Sequence, residues 1–116
     1  MDDLVPEEWF LKEHLFELFK QQLKKDFDHS SVDSAFISEL PSAFEDLKKA
    51  LLVGMAPLFQ SSASSLQNLL YRIDIGELQI RQYRLHHPGL SFEEVIAELV
   101  IKRILQKIIL RKKFST

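Results

Sequence analysis

The chain has 116 residues and a mass of 13.5 kDa, the size of one compact domain spanning residues 1–116. Hydrophobic residues make up 46% and charged residues 28%, which excludes wholesale disorder, and the absence of cysteine excludes disulfides, thiolate catalysis and cysteine-ligated metal centres. The net charge of −2 argues against a general nucleic-acid binder, yet it is unevenly spread: residues 1–50 hold twelve acids against six bases, residues 51–116 five against nine.

The opening Met1-Asp2-Asp3-Leu4-Val5-Pro6-Glu7-Glu8 is acidic where an export signal needs a basic and then an apolar stretch, so a cytoplasmic location is expected. From Pro6 to about Lys25 the pattern predicts a helix. Pro6, Glu7 and Glu8 suit its start and Lys20, Lys24 and Lys25 its end, while Leu11, Leu15 and Leu18 lie on one stripe and Phe16, Phe19 and Leu23 on the next. Asp26 to Leu40 reads as a linker with about one turn at Ala35, Phe36 and Ile37, closed by Pro41.

Ser42-Ala43-Phe44-Glu45 has the form of a capping box and predicts a second helix carrying Phe44, Leu47, Leu51 and Leu52, which Gly54 and Pro57 should end near Met55. The longest apolar-or-small run, Ala50 to Phe59, is about half the span of a bilayer, so no transmembrane segment is expected. Gln60 to Ser65 reads as a solvated connection. A third helix, about Ser65 to Ile73, directs Leu66, Leu69, Leu70 and Ile73 inward.

Residues 71–85 fit two patterns. Asp74-Ile75-Gly76-Glu77 resembles a capping box opening a helix to about His86, with Leu78 and Leu85 on one stripe and Ile80 and Tyr83 on another. The alternation of Tyr71, Ile73, Ile75, Leu78 and Ile80 around Gly76-Glu77 also suits a hairpin near residues 71–81. The helix is preferred, because a lone hairpin in a helical chain is marginal.

His86-His87-Pro88-Gly89 is a turn, and the capping box Ser91-Phe92-Glu93-Glu94 opens the longest helix, to about Lys113, roughly 34 Å long. Phe92, Val95, Ile96 and Leu99 form one stripe, and Ile101, Ile104, Leu105 and Ile108 form another rotated well away from it. One neighbouring helix cannot cover both. Either this helix is the centre of the bundle, or Ile101, Ile104, Leu105 and Ile108 meet a second copy of the chain.

The same helix carries Lys102, Arg103, Lys107, Arg111, Lys112 and Lys113 with no acid after Glu98. These residues are candidates for binding an anion, on nucleic acid or on a lipid surface. They equally suit a solvated helix end, an i, i+4 pair between Glu98 and Lys102, or attraction to the acidic first half.

Signals for chemistry are weaker. Adjacent His86 and His87 diverge by about 100° on a helix and grip a metal poorly, and Asp26-Phe27-Asp28-His29 is too short for a calcium loop. Glu-x-x-His and His-Glu-x-x-His are missing, and Gly54, Gly76 and Gly89 are too scattered for a phosphate or dinucleotide loop. No cofactor is expected. Ser61, Ser62, Ser64 and Ser65 lack an indicated base, and His14 reads as a helix boundary. Glu93 with Glu94 and Asp74 with Glu77 could act as acid–base pairs, but each sits at a helix start that already explains it. Trp9, Phe10, Phe16 and Phe19 could line an apolar pocket but have the spacing of core residues. The expectation is therefore an all-α bundle of about five helices acting as a non-catalytic protein-interaction or regulatory module, with a nucleic-acid or anionic-membrane binder as the alternative and a small metal-free enzyme third.

Overall fold

The computed structural model describes residues 6–10, 14–61 and 63–114, without the side chains of residues 7, 63 and 112–114. They form α1 (Pro6–Phe10), α2 (Leu15–His29), α3 (Phe44–Gln60), α4 (Ala63–Ile73), α5 (Glu77–His86) and α6 (Phe92–Phe114), with a 3-10 helix at Ala35–Glu39 and no strand among the described residues. The all-α class and the long last helix match the sequence reading.

Helix α6 is the axis of the bundle. Both of its stripes are apolar, so burial has to surround it, and α1, α2, α3, α4 and α5 all pack against it. From Val95 to Ile101 every residue is buried, including Glu98. Ile101, Ile104, Leu105 and Ile108 are buried as well, so the stripe considered for self-association belongs to the chain's own core. The capping box forms as the sequence implies: Ser91 N–H donates to Glu94 Oε1 and Glu94 N–H to Ser91 Oγ, each at 3.1 Å.

The first expected helix is interrupted. His14, at φ 58°, precedes α2 in the left-handed region, and Leu11 lies outside the described residues. Helix α2 then runs on to His29, four residues past the expected end, because Asp26 and Phe27 are buried on its inner face. Phe10 meets Phe16 and Phe19 edge-on at 5.0 and 4.9 Å. These aromatics pack against one another as core rather than around a pocket.

Helix α3 departs further from expectation. Its N-cap is Ala43, with no side-chain cap bond, so Ser42 and Glu45 do not form the capping box; Glu45 turns toward Lys48 instead, at 3.6 Å. Nor does it stop at Gly54 and Pro57. The Phe36 ring lies against Gly54 where a Cβ would fall inside it, so glycine serves a close approach. Pro57 removes one backbone bond, yet Leu58 is buried and Phe59 packs on the core, which holds the last turn in place. Ser61 closes the end by donating from N–H to the Pro57 carbonyl at 2.9 Å and from Oγ to that of Leu58 at 3.2 Å. Of the expected connection of residues 60–65, Gln60 ends α3 and residues 63–65 already belong to α4, while Ser62 lies outside the described residues.

The ambiguity at 71–85 resolves as two helices. Ile75 N–H donates to the Leu70 carbonyl at 2.8 Å and Asp74 N–H to that of Tyr71 at 3.1 Å, a Schellman ending with Asp74 left-handed at φ 72°. Asp74 thus terminates α4 instead of capping α5, and the hairpin is ruled out. The N-cap of α5 is Gly76, whose N–H donates to Gln79 Oε1 at 3.0 Å. Helix α2 ends by the same motif, with Val32 N–H on the Phe27 carbonyl and Ser31 at φ 58°.

Candidate functional site

Helix α5 differs from the others in having no buried residue. It rests on α6 through half-buried Ile80 and Tyr83, while Leu78 and Leu85 stay 63% and 74% exposed. Leu78 and Leu85 are seven residues apart, so they share one line on its outer face. A groove runs along each flank.

On one flank, Ile75, Tyr83 and Leu99 join Gln79, Gln82, Gln106, His86, His87, Lys102 and Arg103 around a volume of about 420 Å³. Tyr83 and His87, four residues apart on one helix face, stack at 4.0 Å between centroids. Lys102 Nζ lies 5.0 Å from the Tyr83 ring centroid. His86 Nδ1 and His87 Nδ1 lie 2.8 and 3.0 Å from the carbonyls of Gln82 and Tyr83; each Nδ1 therefore carries its proton and donates it, which leaves each Nε2 free.

On the other flank, Leu58, Phe59, Leu66, Leu70, Ile80, Leu85 and Phe92 make a more apolar groove of about 770 Å³, edged by Glu77, Arg81, Arg84 and Glu93. Arg84 sits 5.7 Å from the centroid of the Phe92 ring. The outer line of Leu78 and Leu85 lies between the two grooves.

Beneath α5 is a buried polar network. Lys48 Nζ donates to Glu98 Oε2 at 3.0 Å and lies 3.6 Å from carboxylate oxygens of Glu45 and Glu94. Tyr83 OH donates to Glu98 Oε1 at 2.6 Å. Burial pulls the Lys48 ammonium down, but the Glu98 hydrogen bond and the charges of Glu98, Glu45 and Glu94 outweigh it and hold Lys48 above its usual 10.5. Burial, then the hydrogen bond and charge of Glu98, push the Tyr83 phenol above its usual 10.0. Both shifts make the folded chain hold protons that the unfolded chain gives up. Stability is therefore expected to be intact below about pH 10 and to fall as pH rises beyond it. Urea titrations of the wild type and Tyr83→Phe between pH 8 and 11 check this: the variant should lose less stability across that range, and parallel pH profiles would contradict it.

Of the carboxylates considered as acid–base candidates, Glu94 and Asp74 have structural partners. The Ser91 N–H above all, with the Ser91 hydroxyl and Lys48 after it, holds the Glu94 carboxyl below the usual carboxylate range and outweighs the opposing effect of burial. Asp74 binds Arg103 at 2.7 Å, and Glu77 and Glu93 line the apolar groove.

The basic residues of α6 are dispersed by their partners. Arg103 pairs with Asp74, and Lys107 Nζ donates to Asp26 Oδ2 at 3.1 Å and to the Arg72 carbonyl at 3.2 Å. Asp26 is only 2% exposed. The Glu98–Lys102 pair does not form, because Glu98 turns inward to Lys48 and Tyr83 while Lys102 lies over Tyr83. Arg111 is exposed, and the side chains of Lys112 and Lys113 lie outside the described residues. Among the described candidate cations, Arg103 and Lys107 are thus drawn to acids on different parts of the fold.

The Asp26–His29 group also diverges: Asp26 meets Lys107, Asp28 meets Lys24 and Ser34, and His29 Nδ1 accepts from Arg72 at 2.9 Å. No group of three His, Asp or Glu among the described residues could hold a metal ion, and none of their helices is long and apolar enough to cross a membrane.

Sequence reasoning missed the Lys48–Glu98 and Asp26–Lys107 pairs, 50 and 81 residues apart. The stacking of Tyr83 on His87 was accessible from their spacing. Fold and site together define an all-α protein with a central last helix and two grooves flanking its fifth. Comparison of the chain with family models, curated proteins and solved structures finds no match.

Proposed function

We propose that the protein is a non-catalytic helical interaction module that docks through the outer face of α5 and the apolar groove beside it, and that the occupant is a second copy of the chain. The observation that carries this reading is the exposed line of Leu78 and Leu85 on a helix that buries none of its own residues. Charge distribution favours a second copy. Glu77 lies near the start of α5, and Arg81 and Arg84 lie toward its end on the same flank. In a two-fold pair of antiparallel α5 helices, Leu78 of one copy faces Leu85 of the other and Glu77 approaches Arg84, so the surface complements itself.

The alternative of a basic helix tracking a phosphate backbone has less support, since Arg103 and Lys107 are already paired with Asp74 and Asp26. Sedimentation velocity across a wide concentration range tests the proposal. A reversible dimer is expected, weakened about tenfold or more by Leu78→Glu or by Glu77→Arg and recovered in Glu77→Arg/Arg84→Glu. A strict monomer at millimolar concentration would overturn it, as would a dimer insensitive to these changes.

A further inference from the structure

The opposite flank of α5 carries a different chemistry, independent of any dimer. We infer that the groove between α5 and α6 binds a small molecule bearing a phosphate-type oxyanion on an apolar or aromatic body. Its lining holds two cations, Lys102 and Arg103, two imidazoles and three glutamine amides, and no carboxylate.

Lys102 has no carboxylate partner among the described residues, so its ammonium is a free point charge over the Tyr83 ring. Arg103 spends one N–H on Gln106 at 2.6 Å and one on Asp74 at 2.7 Å, while its Nε is buried without an acceptor. A guanidinium has five donors, so Arg103 keeps donors that Gln106 and Asp74 do not use, and a buried donor left unpaired is costly. The carbonyls of Gln82 and Tyr83, which would repel an anion at the end of α5, are covered by the imidazole N–H groups of His86 and His87.

The rest of the groove selects the body of the ligand. Ile75, Leu99 and the Tyr83–His87 stack supply an apolar and aromatic wall. At about 420 Å³ the groove falls within the range of small-molecule sites, and a bare phosphate would leave most of it unfilled.

Titration of the full chain with phenyl phosphate, inorganic phosphate and benzyl alcohol, followed by amide chemical shifts, tests the inference. Phenyl phosphate is expected to bind saturably and more tightly than either other probe, shifting the amides around Lys102 and His87. Lys102→Met, which changes a partly buried side chain outside the core, should weaken it about tenfold. Gln82→Glu, which places a carboxylate in the groove at an exposed position, should weaken it similarly. Arg111→Met on the same helix should leave it unchanged. Lack of saturation by about 10 mM, a range in which a site of this size should respond, overturns the inference. Equal weakening by Arg111→Met, or benzyl alcohol binding as tightly as phenyl phosphate, does so too.

Discussion

Lys48→Met is expected to lower the unfolding free energy by about 3–5 kcal/mol, the range for removing one partner from a buried ion pair. The side chains of Lys48 and Glu98 are 10% and 11% exposed, so deleting the ammonium leaves a carboxylate inside the bundle with only Tyr83 OH as its donor. The cost comes from the stranded charge more than from the lost attraction. The double variant Lys48→Met/Glu98→Leu should therefore recover much of the loss, since two apolar side chains of similar volume need no charge partner. Urea midpoints of the single and double variants decide the matter. A loss below about 1 kcal/mol for Lys48→Met would mean that water screens the pair as it does at a surface.

The second large effect concerns the stripe that the sequence leaves open between core and interface. Ile104 is fully buried at the centre of α6, and Ile104→Ala should cost about 2–5 kcal/mol through lost contacts and a residual cavity. Ile104→Glu should leave the native state unpopulated, because an unpaired carboxylate would be forced among Ile101, Leu105 and Ile108. By contrast, Leu78→Glu on exposed α5 should change the stability of the monomer by about 0.5 kcal/mol or less. Thermal and urea melts by circular dichroism compare the two. A folded Ile104→Glu protein with an unchanged midpoint would place that face in solvent and displace α6 from the centre.

Much of the fold was legible in the sequence. Periodic apolar spacing marked α2, α3, α4 and α6, and the Ser91–Glu94 box located the start of α6 to the residue. The places where local signals failed have identifiable causes. Ser42-Ala43-Phe44-Glu45 resembles a capping box, but Glu45 is drawn to Lys48. Asp74 has the chemistry of an N-cap, yet the same short polar side chain tolerates the left-handed geometry that ends α4. Gly54 and Pro57 are helix breakers by propensity and were overridden by the Phe36 contact and the burial of Leu58.

The candidate sites were less legible. Lys102 and Arg103 stand in the sequence as part of a six-residue basic run, and the run does not reveal that Arg103 and Lys107 reach different acids. Adjacent His86 and His87 lacked metal-binding geometry, and nothing in the chain order placed them beside Lys102.

What the sequence determined by itself was the helical class and the need to surround α6, because apolar stripes on opposed sides of one helix follow from a 100° rotation per residue. Only the tertiary structure decided which charges pair, where the chain ignores its own helix breakers, and that α5 stands between a polar groove and an apolar one. Propensity and capping act over a turn or two of chain, whereas those outcomes depend on groups brought together from 50 and 81 residues apart.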